Sequence, residues 1–317
     1  MNKNTQLRTW RPLDGVLLFD KPLELSSNTA LQKVRRLFQA EKAGHTGTLD
    51  PLASGLLPIC FGEATKFSMG LLDADKTYRA TIRLGQTTTT GDAEGEILDT
   101  RPVNVTEAQV LEVLQRFLGA IQQLPPMYSA LKHQGKPLYE YIRNGETIER
   151  PTREVFIRDL EMERFGVNEI DIVVRCSKGT YVRTLGEDIG LALGCGGHLV
   201  ALRRTSIAHF NIENALTLAQ LEAMDDLQKD TCLMPVDCML QEFPSLELDA
   251  VEVQRMAQGQ RLGKVLDAGD GKIRLYSNGC FIGVGELSGT RLAPSRLLSS
   301  IAKNAAALKA LSAASPA

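Results

Sequence analysis

Tyr78, Ala80, Ile82 and Leu84 alternate with Arg79, Thr81 and Arg83. A period of two predicts a strand with one face buried. Residues 16–19 form a short apolar run closed by Asp20-Lys21-Pro22, which reads as a buried strand. Ser26 and Ser27 are good N-caps, and Ala30, Leu31, Val34, Leu37 and Phe38 then recur at helical spacing. A second helix is signalled by Thr106 with Gln109, a capping box, and by the stripe Val110, Leu111, Leu114, Phe117 and Leu118 ahead of Gly119. Residues 170–176 alternate again. Leu185, Ile189 and Leu193 continue as a helix stopped by Gly194, and Thr217 with Gln220 caps a further short helix. Beyond Phe243-Pro244 the texture changes. Runs at 272–276 and 280–286 flank Ser277-Asn278-Gly279, and Asn-Gly is a strong hairpin signal. These patterns predict a large domain mixing strands and helices, followed by a small β-rich one.

Composition narrows the class. The chain has 317 residues, 43% hydrophobic and 23% charged, which is ordinary for a globular protein. No apolar run reaches membrane-spanning length, and the first residues lack the apolar core of a secretory signal. Six cysteines form no CxxC pair and four histidines show no zinc spacing, so reduced thiols, a cytoplasmic location and no metal or cofactor are expected. The net charge of −2 means that a polyanion would need locally concentrated cations. Candidates are Lys33-Val34-Arg35-Arg36, the Lys132 to Lys136 stretch, and Arg203-Arg204, each of which could equally be a solvated face.

The candidate chemistry centres on residues 44–55, where glycines surround a single carboxylate, Asp50, followed by Pro51. Gly44, Gly47 and Gly55 permit backbone angles closed to other residues, and Pro51 turns Asp50 away from helical geometry. A free Asp is ionised roughly a thousandfold over its acid at pH 7, so it can attack or take a proton without an activating base. In a dry pocket it would need a counter-charge, and Arg183 is the candidate, through a bidentate pair. Asp-Pro is also a common turn initiator, and that reading stands beside the catalytic one. There is no phosphate-binding glycine motif. Tyr78 and Tyr181 could stack on a planar base or simply fill the core, and an ordinary tyrosine is a weak proton acceptor at pH 7. Residues 121–152 mix Tyr128, His133, Tyr139 and Tyr141 with Lys132, Lys136, Arg143 and Arg150 among prolines and glycines. This is the composition of a stacking, phosphate-touching surface, or of an insertion with a small aromatic cluster.

Together these segments resemble the TruB-type tRNA pseudouridine synthases. The resemblance is carried by 15–22, by Ser26-Ser27-Asn28, by the 44–55 loop, and by Phe61-Gly62-Glu63-Ala64-Thr65-Lys66. It continues through Asp75-Lys76-Thr77-Tyr78, Leu84-Gly85, 126–132, Tyr139-Glu140-Tyr141, 176–183 and Leu202-Arg203-Arg204-Thr205. It is dense over 12–210 and thins beyond about 245, where Phe281-Ile282-Gly283-Val284-Gly285 matches.

The resemblance implies an α+β fold with a mixed, mainly antiparallel sheet and flanking helices over 1–244, including an RNA-clamping insertion at 121–152. A PUA-like RNA-binding domain over 245–300 and an alanine-rich tail over 301–317 would follow. It implies an isomerase, monomeric, acting on the T-loop uridine at position 55 of tRNA and gripping the T-arm at the elbow. Asp50 matches the catalytic aspartate, with Tyr78 against the target uracil and Arg183 paired to the aspartate. Tyr181 and Leu202 match residues lining the uracil pocket, and His45 matches the histidine that holds the flipped loop. A tRNA-folding role can coexist with catalysis, and another RNA target is the rival within the class. One departure is Glu24, which stands where the family usually has glycine. If that position requires a positive φ, Glu24 carries a penalty of about 1–2 kcal/mol.

Overall fold

The computed structural model describes residues 10–303 except Ala130 and Ala268. The predicted alanine-rich tail lies outside these residues from position 304 onward. The first strand, β1 (Gly15–Lys21), is longer than the apolar run at its centre, and α1 (Ser27–Leu37) follows it. Ser26 alone caps this helix, its hydroxyl accepting from the Thr29 amide. Next come β2 (Ala43–His45), β3 (Ala53–Phe61), the short α2 (Met69–Asp73), and β4 (Lys76–Leu84). A two-stranded hairpin, β5 (Gln86–Thr88) and β6 (Ile97–Thr100), leads to α3 (Glu107–Gln115), whose Thr106–Gln109 capping box is formed as predicted.

β7 (Gly119–Gln123) joins the main sheet through β10 (Arg153–Phe165), so the irregular excursion begins at Leu124 rather than at 121. Within the excursion lie the miniature hairpin β8 (Lys132–His133) and β9 (Lys136–Pro137), then α4 (Leu138–Arg143). β11 (Glu169–Cys176), α5 (Val182–Ala192), β12 (Gly197–Ile207), β13 (Phe210–Asn211) and β14 (Leu216–Thr217) complete the large unit.

The central sheet runs β14-β1-β3-β12-β4-β11-β10-β7, with β2 added to β3 and β13 to β12. Only β1–β14 and β3–β12 are parallel among its pairs. This is the mixed, mainly antiparallel arrangement expected. Buried residues of α1, α3 and α5 share one core with Tyr78, Ala80, Ile82 and Leu84, the apolar face of β4. Arg79 and Arg83 on its other face pair with Glu163 and Glu169. The alternation seen in the sequence is the difference between these two faces.

Residues after 244 form their own five-stranded sheet. Its strands are β15 (Ser245–Glu247), β16 (Leu262–Gly263), β17 (Gly271–Ser277), β18 (Cys280–Ser288) and β19 (Arg291–Leu297). The predicted hairpin is β17–β18, and Asn278 and Gly279 both have positive φ, at 50° and 70°, as a type I′ turn needs. The helix Ser299–Lys303 buries Ile301 in this second core, so the small unit extends past residue 300.

Candidate active site

Asp50 sits in the loop between β2 and β3, and neighbouring elements hold that loop at Thr46, Gly47, Leu49 and Pro51. The Thr46 amide donates to the Pro58 carbonyl at 3.1 Å. Arg204, 1% exposed, donates from Nη2 to the Gly47 carbonyl at 3.1 Å and from Nε to the Leu56 carbonyl at 2.8 Å. Ser27 holds Leu49 by two bonds, donating to its carbonyl at 2.9 Å and accepting from its amide at 2.7 Å. The Glu24 amide reaches the Pro51 carbonyl at 2.9 Å. The loop therefore places Asp50 without depending on the carboxylate itself.

Gly55 closes the loop under a strict steric demand. Its φ is 108°, and a Cβ there would lie 2.3 Å from the Arg204 carbonyl oxygen. That close approach is the parallel pairing of β3 with β12, in which Gly55 stands opposite Arg204. Glu24 has φ of 65°, so the position does require the left-handed region that favours glycine. Through Pro51 this strained turn is joined to the loop carrying Asp50.

The Asp50 carboxylate meets Arg183 at 3.0 Å. The expected bidentate pair is not formed, because the guanidinium is divided among several partners. Its Nη1 faces Asp92 at 3.4 Å and donates to the Thr90 carbonyl at 3.2 Å, while Nη2 also donates to the Tyr128 carbonyl at 2.6 Å. Arg183 is 5% exposed at its side chain and Asp92 3%, whereas 41% of the Asp50 side chain remains accessible. Asp50 is thus the most exposed member of the triad. Enclosure raises the Asp50 carboxyl above its ordinary value, opposed by Arg183 and reinforced by Asp92. Burial lowers Lys21, whose ammonium bonds the Pro22 and Leu25 carbonyls, to about 8, with the Asp50 charge opposing the drop.

Asp50 opens into a cleft of about 320 Å³ whose lining includes Tyr78, Tyr181, Arg183 and Leu202. These predicted residues come from β4, the start of α5 and β12, and the fold brings them together. Burial raises both tyrosines above the usual phenol value, so each ring is neutral at pH 7 and suited to stacking rather than to taking a proton. His45 lies outside the cleft lining, on β2 opposite Ile59. Burial and the Arg204 charge lower its pKa, which leaves the imidazole neutral at pH 7.

Sequence reasoning missed Asp92, Lys76 and Gln123. Asp92 lies in the polar run Thr88-Thr89-Thr90-Gly91-Asp92, a loop signal between patterned segments that was available in the sequence. Lys76 stood in the sequence only as part of the Asp75-Lys76-Thr77-Tyr78 motif. It is buried in the cleft wall, its ammonium donates to the Leu71, Leu72 and Ala74 carbonyls at the end of α2, and burial lowers its pKa to about 8. Gln123 carried no local signal.

Residues 35–182 match the TruB family pseudouridylate synthase N-terminal domain. Residues 183–241 match the tRNA pseudouridylate synthase B C-terminal domain, and 244–298 match the C-terminal domain of pseudouridine synthase II TruB. A protein of Methylobacillus flagellatus named tRNA pseudouridine synthase B is 56% identical over 293 residues, covering 92% of this chain and 97% of the relative. A protein of Azoarcus sp. with the same name is 56% identical over 288 residues, covering 91% and 96%. A crystal structure of a Cbf5-Nop10-Gar1 complex superposes with a TM-score of 0.67 at 23% identity, covering 96% of this chain and 88% of that one, a likeness of fold. A Cys-free, glycine-bounded aspartate loop paired with a buried arginine, in a chain matched along nearly its whole length, leads to one conclusion: the chain belongs to the TruB family of pseudouridylate synthases and is an isomerase of uridine in RNA.

Proposed function

We propose that this chain converts the uridine at position 55 in the tRNA T loop to pseudouridine, with Asp50 as its catalytic group. The observation that carries the reading is the Asp50–Arg183 ion pair, at 3.0 Å, facing a cleft walled by Tyr78 and Tyr181. A stacked uridine cannot bring its glycosidic bond to a carboxylate that lines a cleft. The base must leave its stack at a cost of a few kcal/mol, which the two tyrosine rings offset by stacking.

Asp50 then promotes cleavage of the N1–C1′ bond. The uracil turns within the cleft, C5 bonds to C1′, C5 loses its proton and N1 gains one. Substrate and product are isomers, so the step consumes no electron or co-reactant. Arg183 holds the carboxylate charged while sharing its own charge with Asp92, so that Asp50 is oriented without being fully neutralised.

The 124–152 excursion, with Lys132, Lys136 and Arg143 around Tyr139 and Tyr141, supplies cations and aromatic surface for the T-arm at the tRNA elbow. His45 supports the flipped conformation of the loop, Leu202 lines the uracil pocket, and the small domain after residue 244 is a PUA-like RNA-binding module. The enzyme acts as a cytoplasmic monomer. Among the described residues no helix is long and apolar enough to cross a membrane.

Asp50→Asn tests the reading. It should abolish pseudouridine formation in a T-arm RNA while leaving RNA affinity near that of the wild type. Full activity in the variant overturns the assignment. Rescue of a tRNA-folding defect by the same inactive variant would establish a separate folding role.

A further inference from the structure

Gln123 is the last residue of β7, and the chain leaves the sheet at Leu124 to begin the excursion. Its side chain is 2% exposed, too well buried for a glutamine without partners. Both ends of the carboxamide are spent on one residue. Oε1 accepts from the Tyr181 amide at 3.0 Å, and Nε2 donates to the Tyr181 carbonyl at 3.3 Å. The side chain thus acts like a peptide unit and pairs with the Tyr181 backbone as a neighbouring strand would.

Tyr181 lies just ahead of the first turn of α5, with extended backbone angles and no side-chain cap of its own. Arg183 lies two residues on, and its Nη2 is held by the Tyr128 carbonyl, five residues along the excursion from Gln123. Arg150 closes the neck of the same excursion by donating to the Pro125 carbonyl at 2.8 Å. The base of the excursion therefore grips the α5 entry at Tyr181 and at Arg183, which both line the cleft.

We infer that Gln123 is a positioning residue for the isomerisation, setting the placement of the Tyr181 ring through its backbone and tying that placement to the neck of the excursion. This inference rests on the function proposed above. A side chain that fixes a backbone in this way matters when the base must be held during glycosidic cleavage, since small misplacements at a reacting centre carry large rate penalties.

The test compares Gln123→Leu and Gln123→Glu in single-turnover reactions on a T-arm RNA, with RNA affinity and thermal unfolding measured alongside. Gln123→Leu loses both bonds, and its saturated rate should fall at least about tenfold with affinity changed less than about threefold. Gln123→Glu keeps the acceptor for the Tyr181 amide and should recover part of the rate. A merely structural glutamine would give the same fold loss whatever occupies position 181. A positioning glutamine loses its effect once the ring is gone, so Gln123→Leu in a Tyr181→Ala background should add less than about threefold. An unchanged rate in Gln123→Leu, or an equal loss in both backgrounds, overturns the inference. If Gln123→Leu does not fold, the same cycle run with Gln123→Glu decides. A wild-type protein that leaves the T-arm RNA unmodified refutes the proposed function instead, and is distinguished by that control.

Discussion

Ser27 and Leu49 are joined by a reciprocal pair of hydrogen bonds, the Ser27 hydroxyl donating to the Leu49 carbonyl at 2.9 Å and accepting from its amide at 2.7 Å. Leu49 precedes Asp50, so the first turn of α1 directly sets the backbone that presents the carboxylate.

Ser27→Ala removes both partners from a buried peptide. Leaving those groups unpaired costs about 1–3 kcal/mol. The variant should unfold at a lower urea midpoint with an unchanged slope, and its single-turnover rate should fall more than its RNA affinity. An unchanged midpoint and rate would show that water or a shifted loop replaces the hydroxyl.

Glu24→Gly addresses the positive φ of 65° at that position. Relief of the left-handed strain should outweigh the extra chain entropy of glycine and stabilise the protein by about 1 kcal/mol. For a chain of 317 residues that is an increase in Tm of roughly 1.5 °C. Calorimetry on the wild type and the variant checks it, and a lower Tm in the variant would refute it.

Glu187 gives a prediction in pH. Burial and the neighbouring Asp188 charge raise its pKa from 4.5 to about 7, with Arg183 opposing and Asp92 adding to the shift. A carboxyl whose folded pKa is raised binds more protons in the native state than in the unfolded one between those values. Stability therefore falls as pH rises from about 4.5 to 7, and the full penalty persists above 7. Glu187→Gln keeps the shape and removes the charge. Its urea midpoint should exceed that of the wild type at pH 8 and equal it at pH 4. A difference of the same size at both values would assign the effect to packing rather than ionisation.

Much of the fold was legible because its signals are local. The alternation of β4 reports a sheet with one covered face, the capping boxes at Thr106 and Thr217 start helices as expected, and Asn278-Gly279 sets a hairpin through its own backbone preferences. Where several elements converge, local signals end. Ser27 read as a second cap, yet its hydroxyl is used on Leu49, twenty-two residues away. Residues 121–123 read as part of an irregular segment, and pairing with β10 makes them a strand.

The sequence by itself determined the family, the carboxylate at Asp50 and its arginine partner, because those rest on residue identity and motif order. Only the tertiary structure decided how Arg183 is shared, since Asp92 arrives from a loop ninety-one residues earlier in the chain and takes the nitrogen that a bidentate pair would have used. It likewise decided that Gln123 holds Tyr181 and that Gly55 must admit the Arg204 backbone. These are contacts between segments far apart in the chain. A single sequence records the partners of such contacts, but not which of them burial brings face to face.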